Sequence, residues 1–140
     1  VIGGYLVDSS ALWYLFRDGN RALEALHEHL ATGSLRVCEA TRAEFLYSAT
    51  SSAHRDELIA DLDELTTSVQ IPKRAWHWIE TAQYKLTQRG LHRSAGPIDL
   101  LVCATAVHHD LAVLHVDNDF RTVASVIPEL RERDARPLGQ

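Results

Sequence analysis

Four acidic side chains stand where apolar runs end or helical runs begin, and that placement is where chemistry would be done. Asp8 follows Tyr5-Leu6-Val7, and Asp117 follows the run Leu111 to Val116. Glu44 lies shortly after the run Leu35 to Cys38, and Asp99 follows Pro97-Ile98 at the start of a long apolar stretch. Asp119 stands beside them, two residues after Asp117. A group of carboxylates without Cys or His offers hard oxygen donors, which suit Mg²⁺ or Mn²⁺. Ions held in this way activate water and stabilise the leaving oxygen of a phosphodiester. Without a cation the same carboxylates repel and raise one another's pKa values.

Each acid also has a plainer role open to it. Thr41-Arg42-Ala43-Glu44 reads as a capping box, with Glu44 in the first turn of a helix bonding back to the cap. Asp99 in the first turn of its helix suits the macrodipole, an effect of about 0.3–1 kcal/mol. Asp117 can be a turn residue, Asp119 a cap for the helix after it, and Asp8 a cap for the helix after the first strand. The set is more informative than its members: a charge at the head of so apolar a helix as that of Asp99 needs a partner.

The elements that must position these acids are legible as alternating runs. Tyr5 to Val7, Leu35 to Cys38 and Leu111 to Val116 read as buried strands, and Val69 to Ile71 as a short extended piece stopped by Pro72. Helices are expected from Ser9 or Ser10 as cap, over Arg21 to Ala31, Thr41 to Thr50, Arg55 to Leu65, Lys73 to Arg89 and Pro97 to His109, and from about Phe120. In the helix after Pro72, Trp76, Ile79, Tyr84 and Leu86 are expected to face mostly inward. The run Ile98 to Val107 is apolar nearly all round and marks a central buried helix, opened by Pro97. Strands that are continuous apolar runs, alternating with helices, imply a mostly parallel sheet of four or five short strands covered on both faces. Right-handed crossovers gather the strand ends, and therefore the acids, at one edge.

At these residues the chain resembles the PIN domains, and among them the VapC-type toxins of bacterial toxin–antitoxin pairs. The resemblance rests on Leu6-Val7-Asp8-Ser9-Ser10, Ala43-Glu44-Phe45, the run Ile98-Asp99-Leu100 to Ala106, and Leu114-His115-Val116-Asp117-Asn118-Asp119-Phe120. It covers about residues 5–125. It implies a three-layer α/β/α fold and an Mg²⁺- or Mn²⁺-dependent endoribonuclease. Asp8, Glu44, Asp99 and Asp117 would be the catalytic acids. Asp8, Asp99, Asp117 and Asp119 would hold metal, and Ser10 would support Asp8. It also implies a tRNA or rRNA substrate, a cognate antitoxin and a homodimer.

Composition sets further bounds. The chain has 140 residues, suiting one domain over 1–140, with Asp134 to Gln140 expected as a flexible tail. Cys38 and Cys103 lie in apolar runs and read as reduced core residues. No apolar run is long enough to span a membrane and no secretory signal opens the chain, so a cytoplasmic protein is expected. The net charge of −5 is unfavourable for phosphate contacts. Five acids between Asp56 and Glu64 account for much of it, whereas Lys85, Arg89 and Arg93 lead along one helix and loop toward Asp99 as a candidate RNA track. The eight histidines show no zinc spacing, and His115, inside an apolar strand, reads as a satisfied core residue. A phosphotransfer receiver would need a second acid after the first strand and a late Lys, and an Asp-x-Asp phosphatase would need an acid at Ser10; neither is present. The remaining alternative is a non-catalytic interaction module of the same fold, using Trp13, Tyr14, Phe16 and the helix from Arg55 to Leu65 as a docking surface.

Overall fold

Residues 3–18 and 20–139 are described in a computed structural model of the chain. The strands are β1 (Tyr5–Val7), β2 (Leu35–Val37), β3 (Thr67–Ser68), β4 (Ala112–His115) and β5 (Glu132–Asp134). The helices are α1 (Ser9–Asp18), α2 (Asn20–Ala25), α3 (His27–Ala31), α4 (Glu39–Tyr47), α5 (Ser52–Leu65), α6 (Ala75–Gln88), α7 (Pro97–His108) and α8 (Asn118–Val126), and a 3-10 turn covers Arg136–Gly139. The sheet runs β3-β2-β1-β4-β5, with every neighbouring pair parallel. None of the described helices is long and apolar enough to cross a membrane.

Alternation along β1 and β4 divides the core in two. Leu6 and Val113 face one layer, built on Ile79 and Leu86 of α6, Leu100 to Ala106 of α7, and Phe120 and Val123 of α8. Tyr5, Val7, Ala112 and Leu114 face the other, with Leu12 and Leu15 of α1, Phe45 of α4 and Leu62 of α5. A central strand buried on both faces cannot alternate apolar with polar, which explains the continuous apolar runs. The strand order reverses beside β1: the chain passes outward through β2 and β3, then returns to place β4 and β5 on the other side. The C-terminal ends of β1 and β4 therefore flank a topological switch point, where open parallel sheets leave a crevice.

Several boundaries differ from the sequence reading. The helix after β2 begins at Glu39, with Cys38 at its cap position and no side-chain cap bond. Glu44 thus lies in its second turn, and the Thr41–Glu44 capping box does not form. Arg21 to Ala31 is not one helix: α2 and α3 meet at Leu26, whose φ/ψ of −97°/9° departs from helical geometry. The extended piece expected at Val69 to Ile71 lies earlier, as β3, although the Val69 amide still donates to Val37. Trp76 and Tyr84 point outward, at 57% and 66% exposure, and Ala75 and Ala82 fill the inner face of α6 with Ile79 and Leu86. Of the expected tail, Asp134 closes β5 beside β4, Ala135 is completely buried, and the 3-10 turn Arg136–Gly139 packs against α2.

Candidate active site

Asp8 is 4% exposed at the end of β1. Its amide donates to Leu114 at 2.9 Å, and its carbonyl accepts from Ala11 and Leu12 to open α1. Its carboxylate Oδ2 accepts from the Ser10 amide at 3.1 Å and from Ser10 Oγ at 2.7 Å. Asp8, rather than Ser9 or Ser10, is therefore the side chain that caps α1. Burial raises its pKa, and the nearby Glu44 charge adds to the rise against the Ser10 bonds.

Asp99 lies in the first turn of α7, where its carboxylate accepts the Gly96 amide at 3.3 Å. Pro97 supplies the next position with no N–H to satisfy, so the helix starts cleanly at the sheet edge. Burial pushes Asp99 up to about 6, reinforced by the charges of Asp8, Asp117 and Glu44. Asp99 thus makes the back-bond of a third-position acid to the cap amide, without the reciprocal bond that Gly96 has no side chain to offer, alongside its place in the acidic group. One turn further, burial, together with the Asp99 and Asp8 charges, pushes the Cys103 thiol up; Cys38 and Cys103 are free and buried.

Asp117 is the cap of α8: its Oδ1 accepts the Asp119 amide at 3.0 Å. Asp119 stands in the first turn of that helix, and burial followed by the Asp117 charge raises its pKa. The roles suggested by the sequence for these two are exchanged, with Asp117 capping and Asp119 capped. Glu44, exposed on α4, accepts a hydrogen bond from Ser9 Oγ. Helix α4 touches both α1 and α7, so it bridges the elements carrying Asp8 and Asp99.

Four segments distant in sequence thus bring Asp8, Glu44, Asp99 and Asp117 into mutual repulsion, and Asp119 joins through Asp117. Mutual repulsion among uncompensated carboxylates calls for a cation, and oxygen-only donors select a hard one. Among the described residues, no three His, Cys, Asp or Glu side chains stand close enough together to hold an ion as placed. The donor chemistry fits a divalent ion, and final ligation would draw the carboxylates inward.

Two side chains outside the acidic set organise it. Ser10 Oγ donates to Asp8 and accepts the Val116 amide at 3.0 Å, tying β1 to the loop that carries Asp117. His115 Nδ1 accepts the Asp117 amide at 3.1 Å. His115 lies in the core, as its apolar strand implies, and the only trace of this contact in the sequence is a polar ring two residues before an acid. Lys85, Arg89 and Arg93 are exposed along α6 and the loop to α7, and among the described residues none is paired with an acid. A cleft of about 350 Å³ along α6 and the far half of α7, lined by Trp78 and Val107, includes none of the five acids.

The PIN domain family matches residues 5–126. The chain is 35% identical over 114 residues to Ribonuclease VapC6 of Mycobacterium tuberculosis, covering 81% of this chain and 87% of that protein. It is 34% identical over 123 residues to Ribonuclease VapC21 of the same organism, covering 87% of each. Its fold is similar to a chain in the crystal structure of VapBC2 from Rickettsia felis bound to a DNA fragment from their promoter. There the TM-score is 0.78 at 13% identity, over 93% of this chain and 97% of that one. The matched span holds all five acids and the switch point that gathers them, and the chain belongs to the PIN-domain family, among the VapC ribonucleases.

Proposed function

We propose that this chain is a divalent-metal-dependent endoribonuclease toxin, acting as a single nuclease domain. The observation that carries the reading is the convergence of Asp8, Glu44, Asp99 and Asp117, where burial and then the charges of the other three push Asp99 up to about 6. Relatives named as ribonucleases support the reaction class. Mg²⁺ or Mn²⁺ would be held by Asp8, Asp99 and Asp117 with help from Asp119. Such an ion, when bound, supplies positive charge to a phosphodiester and eases deprotonation of water. Ser10 fixes the rotamer of Asp8 through its 2.7 Å bond. Glu44, the exposed member held by Ser9, serves the metal or the attacking water. Lys85, Arg89 and Arg93 would carry the phosphate backbone of a tRNA or rRNA toward Asp99.

The similarity to a VapBC2 chain supports a cognate antitoxin as partner. A homodimer rests on the family resemblance, and a cytoplasmic location on the proposed RNA substrate. The test is cleavage of total RNA by the purified chain. Activity should appear with Mg²⁺ or Mn²⁺, vanish in EDTA and return when the ion is restored. Activity that ignores EDTA, or that returns only with zinc, would overturn the oxygen-donor reading.

A further inference from the structure

We infer that His115 is a positioning residue for the acidic site: its ring, oriented by Glu132, accepts the backbone amide of Asp117 and so fixes that carboxylate relative to Asp8. The inference rests on the proposed role of Asp117 and deepens it. His115 is fully buried at the end of β4. Its Nδ1 accepts the Asp117 amide at 3.1 Å, so Nδ1 carries no proton. The ring proton is therefore on Nε2, which meets Glu132 Oε1 on β5 at 2.9 Å and donates to it. Phe120, also fully buried, lies against the ring with centroids 5.2 Å apart and planes inclined by 33°. Two hydrogen bonds and one packed face leave the imidazole a single orientation.

The reason for this arrangement lies in the backbone. Where β4 ends, the amides of Val116 and Asp117 leave the ladder and need other acceptors. Ser10 Oγ takes the first and His115 Nδ1 takes the second. Ser10 Oγ also donates to Asp8. Side-chain acceptors on consecutive amides thus set where the Asp117 loop sits against the end of β1. Neither His115 nor Glu132 contributes a donor atom to the ion; both act through Asp117.

The two nitrogens give a test that separates positioning from simple packing. In His115→Asn, the side-chain oxygen lies near the Nδ1 position and can still accept the Asp117 amide. His115→Gln reaches Glu132 but offers no acceptor at that position, and His115→Leu offers neither bond. Mn²⁺ dissociation constants by calorimetry, metal-free melting temperatures and cleavage rates are measured for the parent and each variant. Outer partners of metal sites typically contribute about 10–100-fold in affinity or activity. We expect Gln and Leu to weaken Mn²⁺ binding and cleavage by that factor, and Asn to recover most of both. Equal losses in Asn and Leu, or unchanged Mn²⁺ affinity in Leu, overturn the inference. Should His115→Leu fail to fold, Glu132→Ala on partly exposed β5 serves instead, with Glu132→Gln as the rescue. Weaker Mn²⁺ binding in Glu132→Ala, recovered in Gln, supports the relay, and parental affinity in Glu132→Ala overturns it. A ring ¹⁵N spectrum placing the His115 proton on Nδ1 would overturn it as well. A parent that neither binds Mn²⁺ nor cleaves RNA would instead defeat the proposed function.

Discussion

Glu44 separates a chemical role from a structural one more cleanly than any other residue here. Its sequence context suggested a cap, but the helix begins five residues earlier, at Glu39, so no cap is lost when its charge is removed. The side chain is exposed, and among the described residues its one hydrogen-bond partner is Ser9 Oγ. Glutamine keeps an oxygen for that bond. Glu44→Gln should therefore leave stability within about 0.5 kcal/mol of the parent, as surface substitutions do. Cleavage should nevertheless fall by about 10²-fold or more if the carboxylate handles a proton or a ligand water. Chemical denaturation and single-turnover cleavage of the same preparation check this, and a fully active Gln variant removes Glu44 from the site. Asp8, Asp99 and Asp117 are different in kind, because each also opens a helix through its own hydrogen bonds. Those caps were partly readable from residue type and position. The exchange of roles between Asp117 and Asp119 was not, since both precede the same helix and either could serve.

At the scale of elements, what was legible followed burial. Strands β1 and β4 are covered on both faces and show as near-continuous apolar runs, and β2 buries Leu35 and Val37 around the half-buried Arg36. The edge strands gave no such signal: β3 is the exposed pair Thr67–Ser68, and β5 is Glu132–Asp134, wholly charged. Polar and charged edges discourage pairing between molecules, and the same polarity removes the apolar signal of a strand from β5. The break between α2 and α3 was hidden because Leu23, Leu26 and Leu30 keep helical spacing across it. On α6, the inward set Ala75, Ile79, Ala82 and Leu86 follows the helical repeat, but two alanines carry a weaker apolar signal than the exposed Trp76 and Tyr84. The outer part of α6 and the loop after it carry the candidate RNA track. Lys85, Arg89 and Arg93 are exposed, so their removal should cost little stability. Replacing all three with Ala should weaken single-stranded RNA binding and flatten its salt dependence by roughly 0.7 in slope per lost phosphate contact. Titrations at several salt concentrations measure this, and an unchanged slope returns the three to an ordinary solvated surface.

For the whole molecule, the switch point gathers repelling carboxylates from segments spread over most of the chain, so the stability of the fold is coupled to what occupies the site. Asp99 gives the sign. Its folded pKa stands at about 6, above the ordinary Asp value of 3.8, so between those limits the folded chain holds a proton that the unfolded chain has released. Without metal, the Asp99 contribution to stability is present below about pH 4 and is lost as pH rises toward 6. Asp134 acts in a separate window: Arg136 holds its carboxyl down to about 2, and that contribution is lost only as pH falls below the usual carboxylate range. A divalent ion bound by the folded site favours ionised Asp99 and opposes the loss. Stabilisation by Mn²⁺ should therefore be small near pH 4.5 and large near pH 7. At a hundred times its dissociation constant the ion contributes about 2.7 kcal/mol, or roughly 5–10 °C in melting temperature for a chain of this size. Asp99→Asn tests the origin of the effect. The amide cannot ionise, so the metal-free variant should melt at or above the parent at pH 7, with a weaker fall between pH 4 and 6. Its response to Mn²⁺ should shrink, and RNA cleavage should be lost. If Asp99 were only a helix cap, the outcome would reverse. Asn can still accept the Gly96 amide but lacks the charge favoured at a helix N-terminus, so the variant would lose about 0.3–1 kcal/mol at pH 7, and parent and variant would respond alike to Mn²⁺. Melting both proteins across pH 4–7, with and without Mn²⁺, separates repulsion relieved by an ion from a cap that needs none.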